Sequence, residues 1–351
     1  MVNLYLYHTQ DLQKVVPEFE KGLFPGHLLY GATSLRKYNI HVVYHRSLVS
    51  SSRFKQIIHT TKEVLLHYRS FDVIYATRSQ GLDLIVLLRA LGLFPKPIVI
   101  WHHQPVVRSN SLWREWLGRL FYRGFDDLFF FSQKLIDDSL MSPKAIPNRL
   151  HLGHWGADLH FYDRVMQHPV KHDGFISTGK ELRDMPTLLK AFNQTGAPLD
   201  IFIGKNTGGV NYDKLFQHCQ RERNIQVHYV EGLIPYQLSL EVHKHACVVI
   251  CCQETNYTVG LTTLVEALAL GLPVICSRNP QFPIDVDKVG CGIAVDYYDV
   301  DGWVKAVTYI SQHPDEAAQM GQRGRMEAER LYNMEQCAAE VASVINKWRR
   351  M

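Results

Sequence analysis

Short apolar runs of strand length alternate with segments of helix length from one end of this chain to the other, and this constrains its fold more than any other feature. Such alternation is the pattern of helices covering both faces of a parallel sheet. The strand runs form two series. The first lies at 4–7, 41–45, 73–76, 98–101, 127–131 and 150–152, and the second at 175–179, 199–203, 227–230, 247–251, 274–276 and 292–295. Two similar sets predict an α/β protein with two Rossmann-like domains facing across a cleft, for which 351 residues are sufficient. The polar stretch 163–174 has a Pro and no apolar periodicity and is the expected linker, giving domains at 1–165 and 172–332. Two closing helices are expected at 314–330 and 334–349, with the segment 333–351 packing back on the first domain.

Composition excludes several classes. With 46% hydrophobic and 21% charged residues the chain is neither disordered nor fibrous. The longest apolar candidate for a membrane span, 82–97, is interrupted by Asp83 and Arg89, and the first residues lack the pattern of a secretory signal. The seven cysteines lie between Cys219 and Cys337 without CxxC spacing, so they read as small buried hydrophobes in a reducing, cytoplasmic setting. The formal charge of +4 is uneven: residues 1–170 hold 20 Lys and Arg against 13 Asp and Glu, and the remainder is net acidic. The first half can therefore face something anionic, although no concentrated basic stripe suits nucleic acid. Gly204–Gly209 (GKNTGG) lacks the order of a P-loop, and no GxGxxG follows the first strand, which argues against a nicotinamide dehydrogenase.

Residues 248–277, VVICCQETNYTVGLTTLVEALALGLPVICS, carry the most chemistry. A strand leads into a polar loop and then a helix beginning at Leu261. Gly260 allows close backbone approach, Thr262 and Thr263 can cap, and the free N–H groups of the first helical turn suit a phosphate. Glu266, further along the helix, can accept hydrogen bonds from ribose hydroxyls; otherwise it is a solvent-facing residue of an amphipathic helix. Phosphate at the helix start together with an acidic ribose contact describes a nucleotide site. Lys180 and Arg183, in a loop that starts with Gly179, can neutralise a diphosphate. His102 and His103 follow a strand at its carboxyl end and serve as site residues, a metal pair or plain loop. Two Asp-x-Asp pairs, Asp285/Asp287 and Asp299/Asp301, are discounted as metal sites, the second because Asp301 is placed to cap a helix starting at Gly302.

Residues 248–277 resemble the carboxyl-terminal signature of GT-B glycosyltransferases, most closely retaining family 4 (glycosyl transferases group 1). Residues 177–191, STGKELRDMPTLLKA, resemble the family's first strand-loop-helix of the donor domain, and 155–161, WGADLHF, its Gly-x-Asp-x-x-x-Phe segment. The likeness covers most of 98–300. It implies a metal-independent retaining glycosyltransferase with no cofactor, taking a UDP- or GDP-sugar donor and a glycan or lipid-linked acceptor. It further implies that Lys180 and Arg183 hold the diphosphate, that Glu266 meets the ribose, that His103 touches the donor sugar, and that Gly26 in FPGHLLY approaches phosphate through its backbone. Where the family has a first glutamate this chain has Thr258, so the sugar contact falls among Glu254, Asn256, Tyr257 and Thr258. A nucleotide-sugar epimerase of the same fold and a catalytically silent binding protein are the alternatives. Finally, 111–125 sets Trp113, Trp116, Leu117, Leu120 and Phe121 on one helical face with Arg119 and Arg123 elsewhere, as either a core helix or a peripheral contact with the inner face of an anionic membrane.

Overall fold

The computed structural model describes residues 1–48, 52–179, 181–207 and 209–349. The chain forms two compact units, the first of Met1–Trp155 with Met334–Met351 and the second of Gly156–Asn333.

The strands of the first unit are β1 Val2–Tyr7, β2 Ile40–Tyr44, β3 Val73–Ala76, β4 Ile98–Trp101, β5 Asp127–Phe130 and β6 Leu150–Leu152. They pair in parallel in the order β2-β1-β3-β4-β5-β6. Runs such as VIYA and IVIW are buried at every position, as strands covered on both faces must be. Its helices are α1 Leu12–Glu20, α2 Arg53–Leu66, α3 Asp83–Ala90, α4 Leu112–Arg123 and α5 Gln133–Leu140.

The second unit holds α6 Leu159–Met166, β7 Phe175–Thr178, α7 Met185–Thr195, β8 Leu199–Ile203, a short ribbon of β9 Asn206–Thr207 and β10 Val210–Asn211, and α8 Tyr212–His218. It continues through β11 Ile225–Tyr229, α9 Pro235–His243, β12 Cys247–Ile250, α10 Leu261–Ala269, β13 Val274–Ser277, α11 Val286–Val289, β14 Gly292–Val295, α12 Val300–Gln312 and α13 Pro314–Arg330. Its main sheet, also parallel, runs β11-β8-β7-β12-β13-β14. Asn206 and Thr207 of the GKNTGG stretch form one strand of the small ribbon, which no apolar pattern announced; Gly208 lies outside the described residues.

The unit boundary precedes α6, whereas the stretch expected as a linker begins inside that helix. Asp158 caps α6 by accepting from the Phe161 N–H at 3.1 Å, and Phe161, Tyr162 and Val165 are buried, so tertiary packing outweighs the polar composition. The WGADLHF segment has a clear physical basis: a Cβ at Gly156 would lie 1.8 Å from the Tyr332 carbonyl carbon, so only glycine fits beside that strand of backbone. The last helix, α14 Met334–Ile345, belongs to the first unit, where Glu335 accepts from Ser34 and Lys37 and Glu340 pairs with His154 at 2.6 Å.

Six cysteines are buried and Cys219 half-buried, and burial pushes the buried thiols up, Cys291 to about 11. Among the described residues no helix is long and apolar enough to cross a membrane.

Candidate active site

In the second sheet the chain order reverses between β7 and β12, and in open α/β sheets the crevice beyond the carboxyl ends at such a reversal is where ligands bind. Thr178 and Gly179 end β7 there, and Cys251 and Cys252 follow β12. Arg183 connects them. Its Nε and Nη2 donate to the Thr178 carbonyl at 3.0 and 2.9 Å, Nη1 to the Glu181 carbonyl at 3.3 Å and to Cys252 Sγ at 3.0 Å, and Nη2 also to Thr263 Oγ1 at 3.3 Å.

Arg183 is only 4% exposed, yet among the described residues no carboxylate lies within ion-pair distance of it. Asp184, next in sequence, uses its carboxylate to cap α7 through the Thr187 N–H at 3.2 Å. Every partner of the guanidinium is therefore neutral, and a buried cation in that state is stabilised by an anion brought to it. The helix α10 adds to this field, because the positive end of its dipole lies at its start, beside Thr263, whose hydroxyl accepts from Arg183.

The backbone at the start of this loop favours glycine. Gly179 has φ +107°, and a Cβ there would lie 1.9 Å from Arg183 Nη2. Gly260, at φ +93°, occupies the N-cap of α10, where a Cβ would meet Ile250 Cγ2 at 2.5 Å. Neither Thr262 nor Thr263 caps the helix as expected: a left-handed glycine opens α10, and Thr263 instead points its hydroxyl to Arg183 and to Thr178 Oγ1 at 3.4 Å. Lys180 lies outside the described residues.

Glu266 is 8% exposed, so the solvent-facing reading does not hold. Ser239 on α9 donates to its Oε1 at 2.6 Å, and burial pushes its pKa up to about 7. Glu254 is exposed at the surface, its N–H donating to the Tyr298 hydroxyl at 3.2 Å; Tyr257 and Thr258 are half-buried. The Tyr257 carbonyl accepts from Asn279 at 2.9 Å and the Thr258 carbonyl from the Leu261 N–H at 3.2 Å, so backbone bonds hold this loop in shape.

In the first unit, Gly26 opens a buried turn, Gly26–Leu29, that delivers Tyr30 at φ +54°, and Tyr30 shares a 3.0 Å hydrogen bond between its hydroxyl and His103 Nε2. His103 follows β4, His8 follows β1 and Arg78 follows β3, all at carboxyl ends around that sheet's own reversal. Burial first, then the Arg78 charge, lowers the His103 pKa to about 3; burial likewise lowers His8 to about 4, so both imidazoles are neutral at pH 7. His102 is engaged elsewhere, with Tyr122 at 2.8 Å. Tyr30, Thr178 and Cys252 lie inside the stretches quoted above and His8, Arg78 and Ser239 outside them, but none of the six was singled out; strand-end position was the available signal for His8, Arg78, Thr178 and Cys252.

The two Asp-x-Asp pairs serve structure. Asp285 caps α11 and Asp287 binds Arg278 at 2.8 Å. In the second pair the cap is Asp299, accepting from Gly302 N–H at 2.9 Å, rather than Asp301, because α12 starts earlier, at Val300.

Known proteins share this fold. Residues 182–327 match the family described as glycosyl transferases group 1. Over 306 residues the chain is 24% identical to the MMP alpha-(1->4)-mannosyltransferase of Mycolicibacterium hassiacum, covering 79% of this chain and 71% of that protein. Among solved structures, Anabaena Alr3699/HepE in complex with UDP and glucose superposes with TM-score 0.70 at 12% identity, covering 99% of this chain and 100% of the other. Sucrose-phosphate synthase from Thermosynechococcus elongatus gives TM-score 0.74 at 14% identity, covering 99% of each chain. The family match and the shared fold together define a glycosyltransferase of the GT-B class. The match to glycosyl transferases group 1 lies wholly within the second unit.

Proposed function

We propose that the protein transfers a sugar from a UDP- or GDP-linked donor to a glycan or lipid-linked acceptor, with retention at the anomeric carbon. One observation carries the donor half of this reading: Arg183 is a buried cation with only neutral partners, at the amino end of α10 and at the sheet's reversal point. A diphosphate supplies the missing charge. Glu266, one and a half turns along the same helix, is placed for the ribose hydroxyls. Glu254, Tyr257 and Thr258 line the loop assigned to the donor sugar, and Lys180 is a second diphosphate ligand. That Alr3699/HepE holds UDP and glucose on the same fold supports this assignment.

In the reaction proposed, the bond from the anomeric carbon to the diphosphate oxygen breaks as the acceptor oxygen bonds to the same face, and the departing phosphate takes the acceptor proton. No protein nucleophile is required, so the two-carboxylate logic of glycosidases does not apply. The protein acts by position and by stabilising charge on the leaving group, through Arg183, Lys180 and the start of α10. His103, neutral and oriented by Tyr30, can exchange hydrogen bonds with sugar hydroxyls without adding charge. The exposed Trp113–Leu117 face of α4 favours a lipid-linked acceptor.

Thermal-shift measurement with UDP-, GDP- and ADP-sugars tests the donor. A ligand at a hundredfold excess over its Kd stabilises by about 2.7 kcal/mol, and a shift with none of them overturns the reading. Product analysis then separates transfer from epimerisation. Activity is expected to survive EDTA, because the carboxylates of Asp285, Asp287 and Asp299 already serve as caps or partners of Arg278. Loss on chelation, restored by Mg²⁺ or Mn²⁺, would show that a metal supplies the charge stabilisation.

A further inference from the structure

The outer surface of the first unit is unusual on one side. Helices α2, α3 and α4 pack side by side, and each turns an apolar stripe to solvent. On α2 the stripe is Phe54, Ile58 and Leu65, with Phe54 71% exposed. On α3 it is Leu84, Leu87 and Leu91, although Ile85 and Val86 on the opposite side already face the core. On α4 it is Trp113, Trp116 and Leu117, with Trp113 66% exposed and its ring stacked on Trp116 at 5.2 Å; Leu112, at the helix start, is 90% exposed. The spacing of three and four residues is that of a helix face built to be covered. A helix such as α3, apolar on both sides, is one that something else covers. Contiguous exposed apolar surface of this extent marks an interaction site.

Charge identifies what covers it. Residues 53–123 hold eleven Lys and Arg against four Asp and Glu. Lys55, Lys62, Arg69, Arg108, Arg114 and Arg123 are exposed on or beside the three helices, and none is in an ion pair among the described residues. The acids are largely taken up: Glu115 is buried beside Lys144, and Asp83 binds Arg53. A second copy meeting this face through a two-fold axis would bring like charges together. An anionic bilayer does the opposite, since lipid headgroups meet the cations while leucines and interfacial tryptophans enter the acyl boundary.

We propose that the combined α2–α4 face docks the protein on an anionic bilayer, α2 and α3 as well as α4 inserting side chains. The docking rests on this surface alone, and on the glycosyltransfer reading only where it implies a lipid-linked acceptor.

Co-sedimentation with vesicles of phosphatidylcholine, and of equal parts phosphatidylcholine and phosphatidylglycerol, tests it. Binding is expected to the mixed vesicles only and to fall with added salt, because the attraction is screened beyond about 10 Å at 0.1 M. Arg114→Glu with Arg123→Glu should weaken binding about 30-fold, the loss of two basic contacts. Phe54→Ser with Ile58→Ser, Leu87→Ser with Leu91→Ser, and Trp113→Ser with Trp116→Ser should each weaken it about tenfold or more. These positions lie on the solvent side of their helices, away from the donor site, and turnover of a UDP-sugar with a soluble acceptor, or its hydrolysis, should be unchanged. Indifference to both vesicle types overturns the proposal, as does salt-independent binding to phosphatidylcholine. Full binding by the α2 and α3 variants overturns the three-helix face. A dimer seen by light scattering and dissolved by the same substitutions assigns the face to a second copy instead. Since turnover is measured without lipid, failure here is distinct from failure of the catalytic reading.

Discussion

Glu266→Gln is expected to make the protein more stable at pH 8 and a poorer binder of its donor. Burial raises this carboxyl from its ordinary 4.5 to about 7. The folded state therefore holds the proton more tightly than the unfolded chain. Stability contributed by the group is greatest below about pH 4.5, declines as pH rises towards 7 and is level above that, a loss of about 3 kcal/mol across the window. Glutamine keeps the shape and still accepts from Ser239, but has no charge to desolvate. The melting temperature of the variant should exceed that of the wild type by several degrees at pH 8, with the difference shrinking as pH falls towards 5. Donor affinity should fall about 10- to 100-fold, the worth of a charge-assisted hydrogen bond to ribose. A group kept at a cost to stability is what a functional carboxylate looks like. Unchanged donor affinity and kcat/KM would reduce Glu266 to a partner of Ser239.

Arg183→Ala should lower kcat/KM about 10²–10³-fold, mostly through kcat, because the charge it meets grows as the sugar–phosphate bond breaks. Arg183→Lys should not restore activity, since an ammonium on a flexible stem cannot hold the Thr178 carbonyl, Cys252 Sγ and the Thr263 hydroxyl together. Gly179→Ala removes nothing chemical, yet should approach the same loss: its Cβ would stand 1.9 Å from Arg183 Nη2 and its φ of +107° disfavours any side chain. Lys180→Ala should act in the same direction. Steady-state kinetics in donor concentration distinguish the roles. A pure rise in KM would make these residues binders of the ground state, and full activity in Gly179→Ala would mean the guanidinium moves freely and is not preorganised.

Much of the architecture was legible because it rests on periodicities that any chain must obey. Strand runs at 73–76, 98–101, 150–152, 199–203 and 292–295 have the observed bounds; the first two are buried at every position and continuously apolar, as strands covered on both faces must be. The β9–β10 ribbon was not legible, because two-residue strands bury too little to leave a pattern. The linker expected at 163–174 failed for a related reason: α6 is held by its Asp158 cap and by Phe161, Tyr162 and Val165, while its outer residues share the polar composition of a loop.

At the site, the residues themselves were readable from strand-end position, glycine placement and the run of hydroxyls before Glu266. Their states were not. Sequence alone put Arg183 in a loop and Glu266 on a helix, where the structure has them; it could not say that Arg183 is buried with no carboxylate in ion-pair distance among the described residues, that Ser239 holds Glu266, or that Tyr30 holds His103. The same limit applied to α4. Its apolar spacing is equally that of a core helix and of a surface one, and only the packing of α2–α4 showed which side faces solvent. Local pattern fixes which elements form, because propensity and periodicity act over a few residues. Burial, charge pairing and pKa arise from residues far apart in sequence, such as Arg183 and Cys252 or Ser239 and Glu266, and exist only once the chain has folded.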